Sequence, residues 1–267
     1  MAFSSFDNYT TLRDDASLVS YFKFDWNVND SEWWYNGTNT WITFSNQRAI
    51  FNGSSYFTLP QTTAFDLTTM TISRIIKLDS PTAPANSIFD HRDETTGSGA
   101  YAWLRIHHWT DWKSKFRTFI GISNKTIGNF TVNEVIHWTS DKKEHLLTIT
   151  LSWTTSKIYF DGVLISTKTD HSSVNYTTNP VIYIWANKRE FGGSITNYFT
   201  WQMWDLFIMS RAISDSEELA HFLAVVDRTT YKLQVNSAKV SWTHTDFPAY
   251  VDLSNMPASF RSKVTNG

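Results

Sequence analysis

A chain of 267 residues, 16% aromatic and 18% charged, has room for one large β domain or two small ones and ample material for a core. Its formal net charge of −2 offers nothing to a polyanion, which excludes nucleic acid as an expected partner. The absence of cysteine excludes disulfides and thiolate metal sites, and no apolar stretch nears bilayer length, so membrane insertion is not expected.

The first residues, MAFSSFDNYTTLRDD, lack the basic start and apolar run of a secretory leader. An extracellular role then implies another export route, a virus particle, or a leader outside this chain. Period-two patterning begins with YFKFDW and continues in AIFNGSSYFTL and TMTISRIIKL, each read as a strand. Between the first two lies NDSEWWYNGTNTW, a polar loop carrying Trp33, Trp34 and Tyr35 in a row. DHRDETTGSG reads as a loop holding Asp90, Asp93 and Glu94 in solvent. In RIHHWTDW, neighbouring His107 and His108 point to opposite faces of a strand and cannot chelate one ion together. Trp109 and Trp112 flank Asp111 in the same stretch.

LLTITLSW places Leu147, Ile149, Leu151 and Trp153 on one face and Thr148, Thr150 and Ser152 on the other, the signature of a half-buried strand. Asp161-Gly162 follows between two β-rich runs and predicts a hairpin with positive φ at both turn residues. PVIYIWA and TWQMWDLFIMS are further strands, the second apolar on both faces. SDSEELAHFLAVV is the one convincing helix. Ser214 and Glu217 have capping-box spacing, and Leu219, Phe222, Leu223 and Val226 form an apolar stripe. Residues 227–231 read as a boundary. The final stretch has two β-like runs, too little to bury much core alone. The frequent short strands and turns indicate a sandwich.

Several segments together resemble a laminin-G-like, concanavalin A-like jelly roll. LVSYFKFD resembles its opening strand, AIFNGSSYFTLP its second strand pair, EHLLTITLSWTTSKIYFDGVLI its central hairpin and FTWQMWDLFIMSRAISDSEE its closing strand and helix. His145 falls at the family's usual histidine. The resemblance implies an all-β jelly-roll sandwich of two antiparallel sheets with one short C-terminal helix, over residues 1–228. Residues 229–267, with Thr245-Asp246-Phe247-Pro248 as the most characteristic part, resemble the start of a small β module found in surface and phage-associated proteins.

Many members of the family hold one calcium ion near the ends of the first and last strands, and Asp25 and Asp205 match those acidic positions. Asp205 also lies in a strand apolar on both faces, where a carboxylate must be paired, hydrogen-bonded or ligated. Calcium is one solution, with Asn29 or Asp30 completing the shell; an ion pair with Arg211 or Arg48 is the other. Some glucanases of this fold carry a Glu-x-Asp-x-x-Glu strand. None of the seven glutamates here forms that pattern, so an enzyme is not expected.

The loop rings carry the functional expectation. Flat rings beside Asn and Asp side chains suit the apolar faces and hydroxyls of sugars. Trp33, Trp34, Tyr35, Trp109 and Trp112 are the candidate carbohydrate-binding residues. The same rings would equally serve as a plug over the sandwich or as anchors at a subunit contact. The expected function is a non-catalytic carbohydrate-binding or adhesion module, extracellular, on a cell surface or virion. Its partner is a glycan or polysaccharide; the alternative is a structural interaction domain contacting other subunits of such an assembly.

Overall fold

The computed structural model describes residues 10–32, 34–77, 86–93, 102–110, 115–124, 130–138, 144–170, 181–184, 186–188, 195–196 and 202–226. The chain divides into two compact units, Met1–Thr229 and Thr230–Gly267, and the described residues all belong to the first. The expected partial β module lies outside them.

Two sheets make up the first unit. One runs in spatial order β13 (Val163–Lys168), β12 (Thr155–Phe160), β11 (Glu144–Ser152), β6 (Thr69–Lys77), β17 (Gln202–Met209), β4 (Ala49–Ile50) and β3 (Thr43–Phe44), with β1 (Leu18–Phe22) also on β17. The other runs β10 (Phe130–Trp138), β9 (Lys115–Asn124), β8 (Ala102–Thr110), β7 (Asn86–Asp93), β14 (Ile182–Ile184), β5 (Tyr56–Leu59) and β2 (Thr38–Thr40). A small ribbon pairs β15 (Asn187–Lys188) with β16 (Ile195–Thr196). Among the described residues every pairing is antiparallel. The helices are short: α1 (Thr10–Arg13), a 3-10 turn (Thr63–Phe65) and α2 (Asp215–Val226). None of the described helices is long and apolar enough to cross a membrane.

Strand alternation sorts the apolar residues into two cores. Met70, Ile72 and Ile76 of β6 join Leu147, Ile149 and Leu151 of β11, and Phe57, Leu59, Ile182 and Ile184 of the other sheet. On the opposite face of the first sheet, Ile75, Trp204, Phe207 and Met209 pack with Tyr21, Leu12 of α1 and Ile213. The central strands β6 and β17 are therefore buried on both faces, which is why TWQMWDLFIMS shows no polar side. Tyr21 and Phe207 stack with centroids 4.3 Å apart at the centre of the outer core. Fully burying a ring of this size contributes about 1.5–3 kcal/mol.

Four local expectations meet different outcomes. Asp161 and Gly162 have φ of 50° and 73°, as their hairpin requires. The capping box forms: Ser214 N donates to Glu217 Oε2 at 2.7 Å, and Glu217 N to Ser214 Oγ at 3.2 Å. Trp153 does not share the buried face of Leu151. It occupies the β11–β12 turn at φ 50°, 65% exposed, with its N–H on Thr68 O. Asp90 is not a solvated loop residue but a buried member of β7, opposite Tyr183 of β14.

Helix α2 turns a different face to the sheet than its apolar stripe suggests. Leu219 and Leu223 are 48% and 49% exposed, while Glu218 and His221 are buried. The surface beneath is polar: Ser73 Oγ lies 2.7 Å from Thr148 Oγ1 and 2.9 Å from His221 Nε2. The His221 ring meets Phe207 edge-on at 5.5 Å.

Candidate functional site: an aromatic edge built on Asp30

β1 stops at Phe22, and the chain turns through Phe24, buried with φ 57°. It then doubles back along the free side of β1. Ser31 N donates to Tyr21 O at 2.7 Å, and Asp30 bridges to Phe22. Asp30 organises the loop beyond this bridge. Its Oδ1 accepts from Tyr21 N at 2.9 Å and Glu32 N at 3.2 Å, and its Oδ2 from Tyr35 N at 3.2 Å. A buried carboxylate demands such donors, and here three backbone N–H groups supply them. Asn36 Oδ1 accepts from Asp30 N, and Gly37 N donates to Val28 O at 2.9 Å, closing the loop. Gly37 has no room for a side chain: a Cβ there would lie 2.9 Å from both the Phe57 ring and Val28 O.

This frame separates the rings. Tyr35 folds inward and meets Phe65 edge-on at 5.1 Å, packed on the inner core. Trp34, between two backbone groups anchored on Asp30, is 75% exposed. Trp33 and Trp112 lie outside the described residues. Trp109 is on β8 opposite Arg117, and its side chain is likewise outside them.

Two further exposed rings flank this loop: Trp41, which ends the stretch NDSEWWYNGTNTW, and Trp26, which no aromatic run singles out. Trp26, two residues before Val28, is 74% exposed, and Trp41 is 71% exposed. Trp41 stands where the chain crosses from β2 in one sheet to β3 in the other, at φ 59°. Asn39 clamps that crossing, accepting from Ile42 N at 2.8 Å and donating to Ile42 O at 3.1 Å. An isolated ring followed by a buried Ile, across an Asn, is the signal that marks it.

The two acids matched to a metal, Asp25 and Asp205, occupy different settings. Asp205 forms a bulge in β17 at φ 36°, where the strand's partner changes from β4 to β1. It is buried, and its Oδ1 accepts the Tyr21 hydroxyl at 2.8 Å. Asp25 is half-buried just past β1. Calcium takes roughly six to eight oxygens, and among the described residues no three His, Cys, Asp or Glu side chains gather to hold an ion. Two carboxylates would supply a minority of such a shell, so an ion here would need further oxygens. Asp30, one candidate to complete it, spends both oxygens on backbone N–H groups. Arg211 bonds Asp15 and Glu217, and Arg48 bonds Glu144 at 3.0 Å and covers the Trp204 ring at 4.1 Å.

Two antiparallel sheets closed along one edge by crossing segments define a concanavalin-type jelly-roll sandwich. The chain belongs to the concanavalin A-like lectin/glucanases superfamily, whose family model matches residues 51–217. Among solved structures, it is similar to the binding domain of botulinum neurotoxin DC in complex with SialylT, at 12% identity and a TM-score of 0.58, over 79% of this chain and 52% of that one. It also resembles domain 4 of AbnA, an extracellular arabinanase of Geobacillus stearothermophilus, in complex with arabinotriose. There the identity is 15% and the TM-score 0.56, over 76% of this chain and 97% of that one. A third likeness is the botulinum neurotoxin DC binding domain in complex with rat synaptotagmin II, at 13% identity and a TM-score of 0.58, over 80% of this chain and 52% of that one. The chain thus spans about half the length of the neurotoxin domains. No curated protein matches it.

Proposed function

We propose that this chain is a non-catalytic carbohydrate-binding module used in adhesion, extracellular and displayed on a cell surface or virion. One observation carries the reading: Trp26, Trp34 and Trp41 are each more than two-thirds exposed within a single short segment, among Asn and Thr side chains. A ring held out by a fixed backbone offers a flat apolar face at little entropic cost, and neighbouring amides and hydroxyls suit sugar hydroxyls. The glycan-bound arabinanase domain supports the reading by its fold. Among the described residues, the glutamate side chains show no facing pair. Glu32 pairs with Arg13, Glu144 with Arg48 and Glu217 with Arg211, while Glu218 is buried beneath α2.

A glycan array tests this. Binding of the intact chain, abolished by Trp34→Ala without loss of thermal stability, is the expected result. Release of reducing ends from a polysaccharide would overturn the non-catalytic part.

A second reading, a structural interaction domain of a virion or surface assembly, draws on a different surface. Val163 and Leu164 of β13 and Leu219 and Leu223 of α2 are exposed on the two elements flanking the Gly162–Phe222 contact. Light scattering that finds only monomer, with no partner captured, would count against it.

A further inference from the structure

We propose that the aromatic edge is built for an uncharged glycan chain of several sugar units. This rests on the binding reading above and assigns the class of ligand.

Charge is the first argument. From Trp26 to Trp41 there is no Lys or Arg, and the only charged residues are Asp30 and Glu32. Asp30 is buried with its oxygens on backbone N–H groups, so Glu32 is the charge this segment shows to solvent. Of the described arginines nearest in sequence, Arg13 pairs with Glu32 at 3.6 Å and Arg48 with Glu144 at 3.0 Å. A sialic acid, uronate or sulfate resting on these rings would give up water with no cation of this segment to meet it, beside an arginine already paired with Glu32. A neutral sugar loses nothing by the same contact. Its C–H face meets the indoles, and its hydroxyls meet exposed Asn27, Asn36 and Thr38.

Reach is the second argument. Val28 and Gly37 are joined by a backbone hydrogen bond, so Trp26 and Trp41 branch from one junction, two residues before it and four after it. At the length of an extended chain they lie within about 7 Å and about 14 Å of that junction. Trp34 belongs to the loop closed between them. The rings can therefore stand at most about 20 Å apart, a span that several linked sugars cover and a single terminal one does not.

Calorimetric titration with neutral oligosaccharides (arabino-, xylo-, gluco- and manno-trioses and hexaoses) against sialyllactose, oligogalacturonate and a heparin oligosaccharide tests the assignment. A neutral member should bind, more tightly as the hexaose than as the triose. Its affinity should be the same at low salt and at about 0.5 M NaCl. Trp26→Ala, Trp34→Ala and Trp41→Gly should each weaken it about tenfold or more, with unchanged melting temperatures. Glu32→Lys should add weak, salt-sensitive binding of the anionic probes. An anionic glycan bound by the intact chain, lost with salt and with Trp34→Ala, would overturn the neutral assignment and leave the binding module standing. Glycan binding indifferent to all three rings would overturn the site. No binding of any probe would sink the binding reading itself.

Discussion

Gly162 and Phe222 touch so closely that a side chain on the glycine has nowhere to go: a Cβ at Gly162 would lie 2.7 Å from Phe222 Cβ. The β12–β13 turn and helix α2 are fixed to each other at this point. His145 secures the same turn from the other side, its Nδ1 2.8 Å from Asp161 Oδ2, while Asp161 Oδ1 accepts Leu146 N at 3.0 Å. Gly162→Ala therefore meets two penalties, a clash with Phe222 and an L side chain at φ 73°. A loss of about 2 kcal/mol or more is expected in urea denaturation. A midpoint unchanged from the parent would show that the helix shifts freely.

Glu218 makes stability depend on pH. Burial pushes its carboxyl up from 4.5 to about 8, reinforced by the charge of Asp161, while the Thr148 hydroxyl opposes the rise. The folded form then holds this proton more tightly than the unfolded form does. The contribution is fully present below the unfolded pKa and is lost as pH rises through about 8. Denaturation midpoints should fall between about pH 5 and about pH 9, and Glu218→Gln should flatten that slope. An equal slope in the variant would assign it to another group.

Arg211 acts in the opposite direction. It joins Asp15, before β1, to Glu217 in the first turn of α2. The guanidinium holds Asp15 well below the carboxylate range and draws Glu217 down to about 2. Folded pKa values below the unfolded ones give stability that is present above the unfolded pKa and lost as pH falls through the folded values. Arg211→Gln should bring acid unfolding to higher pH, followed by circular dichroism. The effect should be modest and salt-sensitive, because the pair is partly solvated.

Calcium at Asp25 and Asp205 is a proposal with a direct readout. If the two hold an ion, chelation lowers the melting temperature, added calcium restores it, and Asp205→Asn removes the response. Mass action converts ligand occupancy into stability, about 2.7 kcal/mol at a hundredfold excess over Kd. An identical melt with and without chelator would return Asp205 to its other partners, the Tyr21 hydroxyl among them.

Where local chemistry decides, the amino acids announce the structure. Asp161-Gly162, Ser214 with Glu217, and the two-faced strand around Phe207 all follow from a turn, a cap and an alternation. Where the deciding partner is distant in sequence, they do not. Leu219 and Leu223 make a good stripe, yet α2 buries Glu218 and His221, because the sheet offers Ser73 and Thr148 hydroxyls. Trp153 continues the alternation of Leu151, but the hairpin closes one residue earlier. Asp90 sits among turn formers and still joins a strand. At the site, the run Trp33-Trp34-Tyr35 points to the right loop. It does not reveal that Asp30 turns Tyr35 inward, or that the solitary Trp26 and Trp41 stand out beside Trp34.

The family match begins at residue 51, whereas β1 covers β17 only from Leu206 to Met209, beyond the Asp205 bulge. A shortened chain starting at the matched residues would keep most of both sheets but lose β1 and also β4, which pairs Gln202 and Met203. That side of β17, from Gln202 to Met209, would then present bare N–H and C=O groups on a largely apolar strand, a ready template for another molecule. Such a truncation should be recovered as aggregate or as a strand-exchanged oligomer, and the first fifty residues are in this sense the protein's protection against itself.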